Sequence, residues 1–287
     1  MSELNITEPD GKLYIVTDSH LDENIPPASQ FVEMLEQLED PHTVVFLGDL
    51  FVIWLAPPKF WTDMHRTVMS GFQDLKDRGC NVVFIAGNRD MLLPRKFNAR
   101  WQKILPFTHF IYKDWYLKWG EKRFGFIHGD TINYNDHQYL RWKALSHNWI
   151  FETFFRIMPA QLAVWITESL ESKLADTNKE FKIHFPEKEM KEFADSVLPY
   201  VDQYFVGHFH LDKLIEVDGC TSALRVLPDW LSQRTVLRVS EDGEIDVLRY
   251  QDGFLGNLHY SIKSQYLAGK ELDFKRSFLH NSNVCEK

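Results

Sequence analysis

Five short apolar stretches recur along the chain, and each stops abruptly at a polar cluster. Leu13-Tyr14-Ile15-Val16-Thr17 runs into Asp18-Ser19-His20, and Thr43-Val44-Val45-Phe46-Leu47 into Gly48-Asp49. Asn81 to Ala86 runs into Gly87-Asn88-Arg89-Asp90, and Phe124 to Ile127 into His128-Gly129-Asp130. Gln203 to Val206 runs into Gly207-His208-Phe209-His210. Continuous runs of this length, rich in β-branched and aromatic residues, read as strands buried on both faces. Helical spacing separates several of them. Residues 28–39 place Phe31, Leu35 and Leu38 on one face, and residues 60–77 place Met64, Val68, Phe72 and Leu75 on another. Strand, helix, strand alternation predicts a layered α/β sheet, and such sheets bind ligands at the carboxyl ends of their strands. The polar clusters fall at those ends.

Residues 136–190 break the alternation. They read as helical almost throughout, with Trp149, Phe154 and Ile157 on one stripe and Leu162, Trp165 and Ile166 on another. Pro159 divides them, because proline opens a helix far better than it sits inside one. We read the segment as a helical insertion between core strands. After His210 the pattern becomes antiparallel: Asp218-Gly219 and Asp242-Gly243 are turn signals, the second flanked by Val236–Val239 and Ile245–Leu248. The organisation expected is a core of residues 1–135 and 191–250, an insertion at 136–190, and an extension at 251–287 with no role assigned.

Composition narrows the classes. The 287 residues carry a formal net charge of −9, a poor balance for a general nucleic-acid binder, which needs clustered Lys and Arg. Three cysteines (Cys80, Cys220 and Cys285) are too few and scattered for a disulfide framework or a zinc knuckle. A reducing cytosol is the natural setting. The first five residues hold no basic or apolar run, so a signal peptide is not expected. No uninterrupted apolar run is long enough to span a bilayer; Trp149–Leu170 is broken by Glu152, Arg156, Pro159 and Glu168. The aromatic fraction of 14% is high, and this surplus is either a heavy core or apolar surface kept for a ligand.

The strand-end clusters supply Asp18, His20, Asp49, Asn88, His128, His208 and His210. Any one alone reads as a helix cap or a satisfied turn residue. Together, carboxylates, imidazoles and an amide oxygen suit Mn²⁺, Fe²⁺ or Zn²⁺. Seven ligands are too many for one tetrahedral site and suit two ions bridged by a carboxylate.

Asp-x-His, Gly-Asp, Gly-Asn-x-Asp, His-Gly-Asp and Gly-His-x-His, in that order, resemble the calcineurin-like metallophosphoesterase superfamily across roughly residues 12–250. The resemblance implies a four-layer α/β/β/α sandwich with a helical cap insertion and two divalent ions, Mn²⁺ being the metal expected. It also implies that Asp18, His20, Asp49 and His210 hold one ion, that Asp49, Asn88, His128 and His208 hold the other, and that Asp49 bridges. Where much of the superfamily has Gly-Asn-His-Asp, this chain has Arg89; an arginine can clamp phosphate oxygens but is no general acid near neutral pH. Gly-Asn-Arg-Asp is similar to the UDP-2,3-diacylglucosamine hydrolases of lipid A synthesis. So are Met64-His65-Arg66, Arg89 to Leu93, His128-Gly129-Asp130-Thr131 followed by Asp136, Tyr139 and Arg141, and Arg225 to Trp230. Phe209 and Pro228 stand where that family usually has Thr and Gly.

This narrower resemblance implies hydrolysis of a sugar-nucleotide pyrophosphate to UMP and 2,3-diacylglucosamine 1-phosphate. Asp49, Asn88, Arg89 and His128 would carry the chemistry. Arg89, Asp136, Asn178, Lys179 and Lys182 would touch substrate, the last three from the cap. Asp136 reads equally as a cap for the next helix. His65 and His137 read as structural, and Cys80 and Cys220 as buried spectators. The stripe from Trp149 to Trp165 is either the core of a helical hairpin or an acyl-binding and membrane-facing surface. The second reading implies a cytoplasmic enzyme peripheral to the inner membrane. An esterase acting on another nucleotide diphosphate or a phosphodiester is the alternative.

Overall fold

Alternation inside each apolar run decides how the layers stack. The computed structural model describes residues 3–22, 28–146, 148–163, 165–166, 169, 185–217, 219 and 221–257. Its strands are β1 (Glu3–Ile6), β2 (Lys12–Val16), β3 (Pro41–Phe46), β4 (Trp54–Leu55), β5 (Asn81–Ile85), β6 (Asp90–Met91), β7 (His109–Ile111) and β8 (Trp115–Trp119). Then follow β9 (Lys122–Ile127), β10 (Gln203–Val206), β11 (Lys213–Glu216), β12 (Ala223–Val226), β13 (Thr235–Val239), β14 (Ile245–Gln251) and β15 (Phe254–Asn257). The helices used below are α1 (Ala28–Glu36), α2 (Asp63–Asp77), α3 (Ala99–Gln102), α4 (His137–Ser146), α5 (Trp149–Ile157), α6 (Glu187–Val197) and α7 (Trp230–Gln233).

Two sheets face each other. One has the order β15-β14-β13-β2-β3-β5-β7, the other β1-β8-β9-β10-β12-β11. On β2, Leu13 and Ile15 point between the sheets, while Tyr14 and Val16 point outward. Val45 and Val83 face inward in the same way, and Val44, Phe46, Val82 and Phe84 face outward. The outward set meets Phe31 and Leu35 of α1 and Val68 and Phe72 of α2. The inward set meets Trp115, Leu117, Phe124, Phe126 and Phe205 of the second sheet. The far face of that sheet, with Tyr204, Val206, Leu224 and Val226, is covered by Met190 and Ala194 of α6. The result is the α/β/β/α order expected. Each fully buried large side chain contributes about 1.5–3 kcal/mol, so three stacked interfaces account for the aromatic surplus of the core.

Several boundaries differ from the sequence reading. The second helix starts at Asp63, not Phe60, because Pro57 and Pro58 open a short 3₁₀ turn over Pro58–Phe60. Thr62 then caps α2 reciprocally with His65. The first helix stops at Glu36, and Leu38 is buried in the turn that follows. The boundary drawn at Met190 falls inside α6, a helix of the outer layer. The tail gains a strand, β15, antiparallel to β14. The two expected hairpins form, β11 with β12 and β13 with β14. Strands β1, β7 and β8 had no counterpart in the apolar runs. Pro159 does fall between two helical stretches, α5 and residues 160–163.

Candidate metal centre

Parallel pairing brings the polar clusters together. Strands β2, β3 and β5 are parallel neighbours, so Asp18, Asp49 and Asn88 leave the first sheet along one edge. Strands β9 and β10 are parallel neighbours in the other sheet, so His128, His208 and His210 leave along its facing edge. Two clusters of three result: Asp18, His20 and His210, and Asp49, His128 and His208. Within each, one donor atom per residue lies within 4.8 Å of the others.

Asp49 joins them. Its Oδ2 is 3.8 Å from His20 Nε2 and its Oδ1 is 3.6 Å from His128 Nε2. Asn88 Oδ1 lies 3.0 Å from His128 Nε2 and so belongs to the second cluster. Asp18 Oδ1 is 3.8 Å from Nε2 of both His20 and His210. That oxygen is fully buried with no hydrogen-bond partner. A buried carboxylate oxygen left so is costly unless it meets a cation. Its position among imidazole nitrogens fits a divalent ion, and the donor set suits Mn²⁺, Fe²⁺ or Zn²⁺. All seven ligands expected from the sequence are thus brought together.

The surrounding groups orient these ligands. Leu47 O lies 2.6 Å from His128 Nδ1, and Asp229 Oδ2 lies 2.6 Å from His210 Nδ1. In both cases the partner engages one ring nitrogen and turns Nε2 toward the cluster. Asp18 Oδ2 accepts from Thr17 Oγ1 at 2.5 Å and from His208 N at 2.7 Å. Asp90 Oδ2 accepts from Asp49 N and Gly87 N at 3.1 and 2.7 Å, bracing the loop that carries Asp49. Arg89 N donates to Asp49 Oδ1 at 2.7 Å. Thr17, Asp90 and Asp229 were not singled out from sequence; the first two sit in or beside a strand-end cluster and Asp229 in the stretch Arg225 to Trp230, but nothing in residue order shows which ligand each braces.

Backbone strain concentrates here. Asp18, His20, Asp49, His208 and His210 all have positive φ, between 40 and 70°. Side chains with a Cβ adopt this region at a cost of order 1 kcal/mol each. Gly48, at φ 75°, is next to Asp49, and a Cβ there would lie 2.4 Å from Gly87 N. Burial raises Asp49 above the usual carboxylate range, and the neighbouring Asp18 adds to that. Burial likewise pushes Asp90 up to about 7, with Asp49 as the second cause. Burial acts to lower His128, but Asp49, Asp18 and Asp130 outweigh it and carry the imidazole up to about 9. Asp18, Asp49, Asp90 and Asp130 thus crowd carboxylates into one cleft, an arrangement that a bound cation offsets.

Beyond the ligands, Asp136 Oδ1 accepts from Tyr139 N at 2.9 Å, so its side chain caps α4. His65 is buried against the Phe51 ring at 4.3 Å, as a structural residue would be. His137 is exposed, Cys80 is buried, and Phe209 packs edge-on against Phe185 at 5.2 Å. Asn178, Lys179, Lys182, Cys220 and Cys285 lie outside the described residues.

The fold and this centre define a metal-dependent phosphoesterase: the chain belongs to the calcineurin-like phosphoesterase family, which matches its residues 11–212. Among named relatives it is similar to UDP-2,3-diacylglucosamine hydrolase of Proteus mirabilis, 23% identical over 241 residues that cover 82% of this chain and 97% of that one. The proteins of the same name from Histophilus somni and Vibrio parahaemolyticus are 28% and 26% identical, over 81% and 79% of this chain and 97% and 94% of theirs.

Proposed function

We propose that the chain hydrolyses the pyrophosphate of UDP-2,3-diacylglucosamine to UMP and 2,3-diacylglucosamine 1-phosphate, with Mn²⁺, at a membrane surface. The observation that carries this reading is an apolar helix docked on the chain segment that follows Arg89. Phe155 and Met158 pack on Leu55, Phe60 and Leu92. Arg156 Nη2 donates to Leu92 O and Leu93 O, just after Arg89 in the chain. Lys59 Nζ donates to the carbonyls of Arg156 and Met158 at the end of α5. The opposite face shows Trp149, Ile150, Phe154 and Ile157 to solvent, with Ile157 77% exposed. Leu162 and Trp165, beyond Pro159, are exposed as well. A patch of this kind marks an interaction site, and an acyl chain or lipid surface suits it, whereas a soluble nucleotide has no use for it. The names of the relatives support the same substrate. Among the described residues no helix is long and apolar enough to cross a membrane, so contact would be by this face.

Asp18, His20, Asp49 and His210 would hold one ion and Asp49, Asn88, His128 and His208 the other. Bound there, two divalent ions supply Lewis acidity that offsets phosphate charge and acidifies water. Arg89 would clamp non-bridging oxygens on the phosphate side. Asn178, Lys179 and Lys182 remain the proposed cap contacts, with Asp136 in support through α4.

The test compares hydrolysis of UDP-2,3-diacylglucosamine, UDP-N-acetylglucosamine and bis-p-nitrophenyl phosphate by the Mn²⁺-loaded protein. Turnover of the lipid substrate above the other two is expected. Turnover of those two without the lipid overturns the substrate and favours the general nucleotide or phosphodiester reading.

A further inference from the structure

Asp130 belongs to the His-Gly-Asp cluster, yet it ligates in neither group of three. Its side chain is 4% exposed and pairs with α4. Tyr139 Oη and Lys143 Nζ both donate to Asp130 Oδ2, the lysine at 2.5 Å. The two donors are four residues apart and so lie on one face of the helix. Gly129, at φ 109°, permits the reversal between His128 and Asp130; a Cβ there would be 2.6 Å from Val206. The Tyr139 ring stands 6.5 Å from that of His208. A charge-assisted pair at a buried carboxylate holds geometry far more strictly than a surface ion pair. The loop before α4 is held differently. Tyr134 and Asn135 bond Glu192 and Glu189 of α6 on the exposed surface.

We propose that Asp130, Tyr139 and Lys143 form a positioning latch that sets α4, the first element of the cap, at a fixed place against the metal ligands His128 and His208. The latch couples substrate groups that reach the cap to the reacting phosphate, and in this it rests on the substrate reading above. The three residues act through α4 and touch no reacting atom. A small diester that never reaches the cap is therefore indifferent to the latch.

Lys143→Met, Tyr139→Phe and the double variant test this, with Lys143→Arg as the conservative control. Asp130→Asn is the direct change, but it also alters charge beside two metal ligands, so the donor variants carry the test. Hydrogen exchange is read first, since it holds whatever the substrate is. The double variant exchanges faster at residues 137–146, with 81–85 unchanged. Unchanged exchange in α4 overturns the latch. In kinetics, the double variant loses at least about tenfold in kcat/KM on UDP-2,3-diacylglucosamine, chiefly through KM, and Lys143→Arg restores most of it. Hydrolysis of bis-p-nitrophenyl phosphate stays within about twofold. Equal loss on both substrates overturns the positioning role. Absence of lipid hydrolysis by the unaltered protein overturns the substrate reading instead, and leaves exchange to decide the latch.

Discussion

Asp49 is the residue on which both metal clusters depend, because its two oxygens face different histidines. Asp49→Ala should lower bound metal from two ions per chain and reduce diester hydrolysis by at least about a hundredfold, read by elemental analysis and initial rates. Gly87 constrains the same carboxylate. A Cβ there would lie 2.3 Å from Asp49 Oδ1 and 2.6 Å from Asp49 N. Gly87→Ala should therefore mimic Asp49→Ala in metal content, although it removes no ligand; normal metal content would show that the loop yields. His65 gives a pH signature. Burial pulls it down to about 4, against about 6.5 in an unfolded chain. The unfolded state then binds the extra proton between those values. Stability is fully present above about pH 6.5 and falls by about 3 kcal/mol as pH drops toward 4. The melting temperature of a His65→Gln variant should vary less between pH 7 and 5 than that of the unaltered protein. The ligand residues were legible at this scale because each closes an apolar run. Asp130, Asp90 and Asp229 were not, since a carboxylate that braces a ligand, its loop or a neighbouring helix looks the same in sequence as one that caps a turn.

Among the described elements, α5 buries one apolar face and exposes another. Its inner face is docked by Phe155, Arg156 and the capping Lys59, while its outer face meets solvent. Trp149→Ser with Ile157→Ser should leave diester hydrolysis unchanged and reduce flotation with anionic phospholipid vesicles severalfold. Flotation equal to that of the unaltered protein would sink the membrane contact. Helical spacing made this stripe visible in the sequence, and left open whether it faced a core or a ligand. Burial answers for the described residues: Phe155 is in a core cluster and Trp149, Phe154 and Ile157 are out of it. Helix starts were less legible. Residues 60–62 share the periodicity of α2, and only the prolines before them and the Thr62–His65 cap show where the helix begins.

For the molecule as a whole, the metal centre and the fold are one structure. Asp18, Asp49 and Asp90 are all almost fully buried, and five ligands hold left-handed backbone. Ions that bind only the folded state stabilise it by mass action. Chelation should lower the melting temperature by several degrees, or about 2–4 °C per kcal/mol for a chain of this size, and added Mn²⁺ should restore it in a concentration-dependent way. A melting curve indifferent to chelator would mean that the folded state holds its carboxylates without metal.

The chain alone determined the residue types at the strand ends, the buried strands that carry them and the apolar stripe of the insertion. These are local properties: period-two burial and helical spacing act over neighbours in sequence. Tertiary structure decided which face of each strand meets helix and which meets the second sheet. It also divided the two oxygens of Asp49 between clusters and turned Asp130 toward α4. The first two outcomes depend on pairs far apart in the chain, such as Arg89 on Asp49, 40 residues apart, and His208 on Asp18, 190 apart. Such contacts exist only after parallel strand pairing has set two sheet edges face to face, and no local preference encodes that pairing.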